Sequence, residues 1–179
     1  MTAMKPVDER NLDGYGAPLI PWEKVGARID QGFAQAPEEG GPDRHTCWVT
    51  TVRPDGRPHS RPVGVLWLDD VFWFTSGPGT RKARNLAANP RCSVSVATHD
   101  FDLVAEGEAV KVSDQATLER IAAAYNDEGW PASARDGGLW AEYSAPSAGP
   151  PPWHVYRMTP DTVFAFGASE PYGATRYRF

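Results

Sequence analysis

The residues from Phe74 to Pro90 (FTSGPGTRKARNLAANP) combine side chains and glycines that suit an anion-binding turn. The segment is predicted to be a strand end, a turn and a short helix that begins with Thr80, Arg81 and Lys82. Amides at a helix start carry partial positive charge, and two adjacent cations add charge-assisted hydrogen bonds. Cations there also oppose the helix dipole, and a bound anion relieves that conflict. The pattern favours a phosphate site, with a solvated basic helix start as the alternative.

Two glycines, Gly77 and Gly79, stand just before this helix. Glycine has no Cβ, so we expect both positions to let the backbone approach the anion closely. We call the turn and the helix start together (residues 76–82) the anion cradle.

Other kinds of site are excluded by the same sequence. Its 4 histidines are dispersed, without the paired spacing that metal sites use, so no metal site is predicted. Neither a GxSxG nucleophile elbow nor a Walker A loop is present, which removes hydrolases and P-loop nucleotidases. With 18 Lys+Arg against 23 Asp+Glu the net charge is -5, which argues against nucleic acid as a partner. No residue is assigned a catalytic role.

The cysteines and the distribution of apolar residues predict the redox state of the thiols and the location of the protein. Cys47 and Cys92 each lie in an apolar run, which favours buried, reduced thiols, with a disulfide as the alternative. The N-terminal residues lack the apolar core of a signal peptide, and no stretch approaches about 18 apolar residues. We therefore expect a cytoplasmic protein with no membrane partner.

The elements that must position the cradle are mostly strands, because 17 Gly and 17 Pro divide the chain into many short elements. Apolar and β-branched patterns predict strands over 45–52, 59–68, 71–75, 92–98, 103–112, 153–158 and 162–166. Helices are predicted over 21–35, over 80–88 and after an N-cap at Ser113. The stretches 36–44 and 126–152 are predicted to be irregular. Pro62 marks an edge or a bulge in the second strand.

Most predicted strands follow one another directly, which favours a mainly β (α+β) fold, an antiparallel barrel or sandwich with helical additions. We expect an N-terminal helix and loop extension over 1–44 and a barrel domain over 45–179.

The order of motifs resembles the pyridoxamine 5'-phosphate oxidase-like superfamily of flavin-binding split β-barrels. The resemblance covers 44–179 and is carried by PHSRPVGVLW, VFWFTSGPGTRKARNLAANPRCSV and LVAEGEAV. The endings TPDTVFAFG and TRYRF are similar to those of the actinobacterial branch that uses FMN or the deazaflavin coenzyme F-420. The resemblance implies an antiparallel split β-barrel of about six to seven strands with about three helices. It also implies a homodimer with its cofactors at the subunit interface.

The resemblance implies a set of cofactor-binding residues: His59, Ser60, Arg61, Pro62, Val63, Thr75, Ser76, Thr80, Arg81, Lys82, Asn85, Glu106, Arg176 and Arg178. The cradle would hold the phosphate, 59–63 would line the ring or its ribityl chain, and Thr75 with Ser76 would cap the ring side. The two C-terminal arginines would reach the cofactor of either subunit. For His59 a plain strand-surface role is the alternative.

The implied activity is hydride transfer between FMN or F-420 and a small organic substrate. The strand after His59 lacks the lysine that follows an arginine in true pyridoxamine phosphate oxidases, so vitamin B6 oxidation is not expected. F-420 is favoured chiefly because of the resemblance. Its tail carries extra carboxylates, which four arginines could bind, with a plain surface role as the alternative for each: Arg53, Arg57, Arg61 and Arg84. The alternative is a non-catalytic split-barrel protein that binds a cofactor or haem.

Overall fold

A computed structural model describes residues 4–36 and 44–179. Its strands are β1 (Asp8–Asn11), β2 (Cys47–Val52), β3 (Pro58–Pro62), β4 (Val65–Leu68), β5 (Val71–Ser76), β6 (Arg91–Ala97), β7 (Phe101–Val112), β8 (Ser133–Arg135), β9 (Gly138–Trp140), β10 (His154–Gly167) and β11 (Ala174–Arg178). Its helices are α1 (Trp22–Ile29), α2 (Arg81–Ala88) and α3 (Gln115–Asp127).

Nine of these strands form one antiparallel sheet that curls into a split barrel. The order along its main path is β1-β11-β10-β7-β6-β2-β3, and β5 joins β10 on one side and β4 on the other. β8 and β9 form a separate two-stranded hairpin. The cradle follows β5 directly, so it lies at one end of the barrel.

Two hydrophobic clusters lie on opposite faces of the sheet. The larger cluster fills the barrel and contains Phe74 and Met158, and α1 contributes Val25 and Ile29 to it. The smaller cluster packs α3 against Trp73 and other residues of the outer face. Because successive residues of a strand point to opposite faces, β5 supplies both clusters.

The fold class agrees with the expectation: antiparallel strands dominate and three helices accompany them. The described residues form eleven strands, however, not six or seven. The hairpin β8–β9 lies within the stretch 126–152 that was expected to be irregular, and β1 was not predicted. Strands of three or four residues are too short to show clear alternation of apolar and polar residues.

Two predicted strand boundaries were wrong. The strands expected over 153–158 and 162–166 are one strand, β10, with a register shift between Pro160 and Thr162. Proline removes one ladder hydrogen bond without ending the strand. The strand expected over 59–68 is instead divided into β3 and β4.

The helix boundaries also differ from the pattern. α1 ends at Ile29 rather than near residue 35, and Gly32 follows it with a φ of +72°, a left-handed conformation. α3 is capped by Asp114, whose carboxylate accepts from the amide of Thr117 at 2.9 Å, and not by Ser113. Most of the predicted loop 36–44 lies outside the described residues.

Three further observations concern the chain as a whole. Cys47 and Cys92 are buried and unpaired, as favoured by the sequence, and burial raises the pKa of each thiol to about 12. β1 pairs with β11 along its whole length. None of the helices described is long and apolar enough to cross a membrane.

Candidate functional site

The cradle holds three polar side chains in one hydrogen-bonded group. The hydroxyls of Ser76 and Thr80 are 2.7 Å apart, and Lys82 Nζ donates to Ser76 Oγ at 2.8 Å. Thr80 is also the N-cap of α2, since its Oγ1 accepts from the amide of Ala83 at 3.2 Å. The cap therefore fixes the start of the helix and the Lys82 ammonium beside it.

Two amides at the start of α2 are available to an anion. The amide of Thr80 donates to the Gly77 carbonyl at 3.1 Å, and Thr80 Oγ1 takes the amide of Ala83. The amides of Arg81 and Lys82 fall in the first helical turn, where no carbonyl of the helix can accept from them. They supply the partial positive charge that the sequence predicted here.

Lys82 and His59 lie in a positively charged surrounding. Lys82 is 9% exposed, and burial, followed by the nearby Arg61, lowers the pKa of its ammonium to about 8. Burial also lowers the pKa of His59, with further contributions from Arg61, Arg53 and Lys82. The charged groups acting on these two side chains are all cations. We call Arg53, His59, Arg61 and Lys82 the cationic cluster.

Three buried polar atoms beside the cradle lack a hydrogen-bond partner among the described residues: Arg53 Nε, His59 Nδ1 and Asn85 Oδ1. Asn85 Nδ2 donates to Thr51 Oγ1 at 2.9 Å, and Thr51 Oγ1 donates to the His59 carbonyl at 3.4 Å. Leaving such atoms unpaired is unfavourable. A ligand with phosphate and hydroxyl groups would satisfy them, so these residues fit a phosphorylated polyol such as the ribityl phosphate of FMN or F-420.

Most of the predicted site residues lie around this end of the barrel. Ser76, Thr80, Lys82, Asn85 and His59 are linked by the contacts given above. Arg81 is exposed at the same helix start. Arg61, also exposed, donates through Nη1 to the Ser60 carbonyl at 2.7 Å.

Other residues of the same strands point elsewhere. The Ser60 hydroxyl contacts Thr50 Oγ1 at 2.6 Å, on the face opposite to His59. Pro62 is opposite Trp48 at the edge of the sheet, as the proline predicted. Val63 donates its amide to the Cys47 carbonyl at 3.0 Å, and Thr75 lies on the face of β5 opposite to Ser76.

Three predicted residues are not brought to the cradle within one chain. Glu106 and Arg178 both lie opposite Thr162 of β10, on the two neighbouring strands. The Arg176 guanidinium forms an ion pair with Asp8 at 2.8 Å. Ser76, by contrast, lies opposite His154 at the other end of β10. His154 and Thr162 are eight residues apart in β10, which is about 26 Å at about 3.3 Å per residue.

Gly77 makes a close contact that was not predicted. A Cβ at this position would lie 1.9 Å from the Ala148 carbonyl oxygen, so the glycine accommodates the segment 144–150, and its approach to an anion stays a prediction. A Cβ at Gly79 would meet nothing within 4 Å. Sequence reasoning also missed the buried Thr51, because a threonine in a strand is ordinary and carries no signal of its own. Within the described ranges, no three His, Cys, Asp or Glu side chains are grouped to hold a metal ion.

The matching family model and the similar proteins carry the same family description. The family model described as pyridoxamine 5'-phosphate oxidase matches residues 34–167. A pyridoxine/pyridoxamine 5'-phosphate oxidase of Paraburkholderia xenovorans is 28% identical over 164 residues, which cover 76% of this chain and 72% of the relative. One from Alcanivorax borkumensis is 29% identical over 182 residues, which cover 89% and 85%.

A crystal structure shows the same fold. It is that of a pyridoxamine 5'-phosphate oxidase-related, FMN-binding protein from Nostoc punctiforme. The two structures share a TM-score of 0.58 and 19% sequence identity, over 91% of this chain and 93% of the other.

Proposed function

Because the chain belongs to the pyridoxamine 5'-phosphate oxidase family, we propose that it is an oxidoreductase that binds FMN or coenzyme F-420. In this proposal hydride passes between the cofactor and a small organic substrate. When bound, the cofactor supplies the redox chemistry, while the protein binds, orients and excludes water.

The observation that carries the proposal is the cationic cluster beside two free helix amides. Lys82, Arg61 and the amides of Arg81 and Lys82 would hold the phosphate, because no carboxylate of the described residues competes for these charges. Ser76 and Thr80 would keep the Lys82 ammonium in place through the hydrogen bonds described above. His59 and Asn85 would receive hydroxyl groups of the ribityl chain at their unpartnered atoms.

Among the two cofactors we favour F-420. Its tail carboxylates require cations beyond those that hold the phosphate. Arg57 is already bound by Asp55, at 2.6 Å. Arg53 and Arg84 have no ion pair with a carboxylate among the described residues, and they would serve the tail.

We further propose that the protein is a homodimer with its cofactors at the subunit interface. Arg176, Arg178 and Glu106 lie far along the sheet from the cradle of their own chain. A second copy would bring Arg176 and Arg178 of its own β11 to the cradle, whereas Glu106 lies on β7. The missing lysine after His59 argues that pyridoxamine phosphate is not the substrate.

The experiment is to record the absorption spectrum of the purified protein and to titrate it with FMN and with F-420. We expect saturable binding of both, with tighter binding of F-420, followed by reduction of the bound cofactor by a suitable donor. Binding without reduction would favour the non-catalytic alternative, and a Soret band would favour haem. Binding of neither cofactor would overturn the proposal.

A further inference from the structure

A cavity of about 550 Å³ lies outside the barrel, between α3 and the sheet. Its walls come from β5, the ends of β7 and β10, and the first turns of α3. The volume falls in the range of small-molecule sites in proteins. The cavity shares no lining residue with the cradle.

The floor of this cavity is apolar. Val71 and Trp73 of β5 and Val110 of β7 line it, and Trp73 lies directly beside Arg157 in the β5–β10 register. Val110 is 51% exposed, whereas Trp73 is only 2% exposed. Such a floor suits the apolar body of a ligand.

Lys111 also lines this cavity and lies 3.4 Å from His154 Nε2, whereas Arg157 is the lining cation that has no side-chain partner among the described residues. Its guanidinium forms no hydrogen bond or ion pair with the residues that the structure describes. The two carboxylates of the lining are both engaged, because Asp69 binds Arg120 and Asp114 accepts from the amide of Thr117. An unpaired guanidinium next to an apolar floor is suited to bidentate binding of a carboxylate.

Arg120 cannot take this role as readily. Besides its ion pair with Asp69, its guanidinium lies 5.6 Å from the centre of the Trp73 ring. Arg120 therefore lines the cavity with its charge already paired by Asp69. Glu108, the next acidic residue along β7, is bound to Arg91 at 3.5 Å.

We propose that this cavity binds a small organic acid, with its carboxylate on Arg157 and its apolar body against Val71, Trp73 and Val110. Thr75 lies two residues beyond Trp73 on the same face of β5. The cavity therefore borders the residue expected to cap the cofactor ring. That the acid is the substrate rests on the proposed function, whereas its binding does not.

The test uses two probes of equal shape, naphthalene-2-carboxylate and naphthalene-2-carboxamide, titrated calorimetrically into the full-length protein. We expect the acid to bind at least 10-fold more tightly than the amide, a difference typical of a charge-assisted pair. Arg157→Gln should remove the preference. Arg10→Gln, which removes an exposed cation of β1, is the control and should retain it.

A second variant, which leaves Arg157 in place, tests whether the first variant acts only by altering the fold. Val110→Asp places a carboxylate on the cavity floor, where it would pair with Arg157 and exclude the acid. Equal binding of acid and amide to the wild type, or an unchanged preference in Arg157→Gln, would overturn the inference.

The same preparations are titrated with FMN to separate this inference from the proposed function. Tight FMN binding without acid preference would refute the cavity alone. Acid preference without binding of FMN or F-420 would refute the proposed function and leave the cavity as a binding site.

Discussion

Lys82 is the residue on which cofactor affinity should depend most. Its ammonium is buried, donates to Ser76 and has no carboxylate partner in the part of the chain that the structure describes. We expect Lys82→Met to weaken FMN binding by about 1.5–3 kcal/mol, the value of a hydrogen bond to a charged group. Calorimetric titration checks this value.

Arg84→Met provides the matched control on the same helix. Arg84 is exposed, and FMN lacks the tail that we assign to it. The control should leave FMN binding unchanged and weaken F-420 binding. Equal FMN affinity in Lys82→Met and the wild type would contradict the assignment of the phosphate to the cradle.

The lowered pKa of Lys82 predicts a pH dependence of binding. In the free protein the ammonium is charged below its pKa of about 8 and neutral above it. FMN affinity should therefore fall as pH rises through about 8, and binding above that pH should take up a proton. Titrations in buffers of different ionisation enthalpy measure this uptake. In Lys82→Met the alkaline loss should be absent, and its persistence there would implicate another group.

The residues of the cradle were predictable because they are neighbours in sequence. Thr80 and Lys82 stand at a helix start, where local rules assign a cap and an anion site. The contribution of Thr51 and the approach of Arg53 to His59 depend on how β2 pairs with β3 and packs on α2. No local pattern contains that information.

Among the secondary-structure elements, α3 has two neighbouring candidates for its N-cap, Ser113 and Asp114, which substitution can distinguish. Asp114→Ala should lower the midpoint of thermal unfolding, because the amide of Thr117 loses its acceptor. Ser113→Ala should leave the midpoint unchanged. The pKa of Asp114 is lowered chiefly by that amide, so its contribution should be lost as the carboxylate protonates in acid. A larger effect from Ser113→Ala would restore the cap expected from the sequence.

The turn between β5 and α2 offers a second matched pair. Gly77→Ala would force a Cβ against the Ala148 carbonyl, and overpacking of this kind costs about 1–3 kcal/mol. Gly79→Ala meets no atom within 4 Å and should change stability by less than about 0.5 kcal/mol. Denaturant unfolding measures both. Equal stabilities would mean that the segment 144–150 moves aside without cost.

The types of the long elements were predictable, and their ends were not. Alternation over β6 and β7 identified these strands correctly, since each is long and has one buried face. β10 looked like two strands because Pro160 interrupts the pattern that the ladder continues through. Short edge strands form because a partner is already in place, as β1 forms on β11.

For the whole molecule, we propose that the exposed aromatic residues of the outer face form the interface of the proposed dimer. Trp48 and Phe166 are 45% and 41% exposed, and the Phe166 ring stacks on Phe164 with centroids 6.5 Å apart. We expect Trp48→Glu with Phe166→Glu to convert the proposed dimer to a monomer in light scattering. Tyr15→Glu, at a fully exposed position, is the control. A dimer that persists in the double variant would place the interface elsewhere.

The length of β10 has a consequence for how the chain can be cut or rearranged. This strand pairs with β5, β7 and β11 and supplies Met158 to one hydrophobic cluster and Val155 to the other. A fragment that contains only one of the two hydrophobic clusters should therefore not fold on its own. Amide protons in both clusters should exchange with solvent in one global unfolding event. New termini for a circular permutation belong in connections between strands, because a chain break inside β10 would disrupt both hydrophobic clusters.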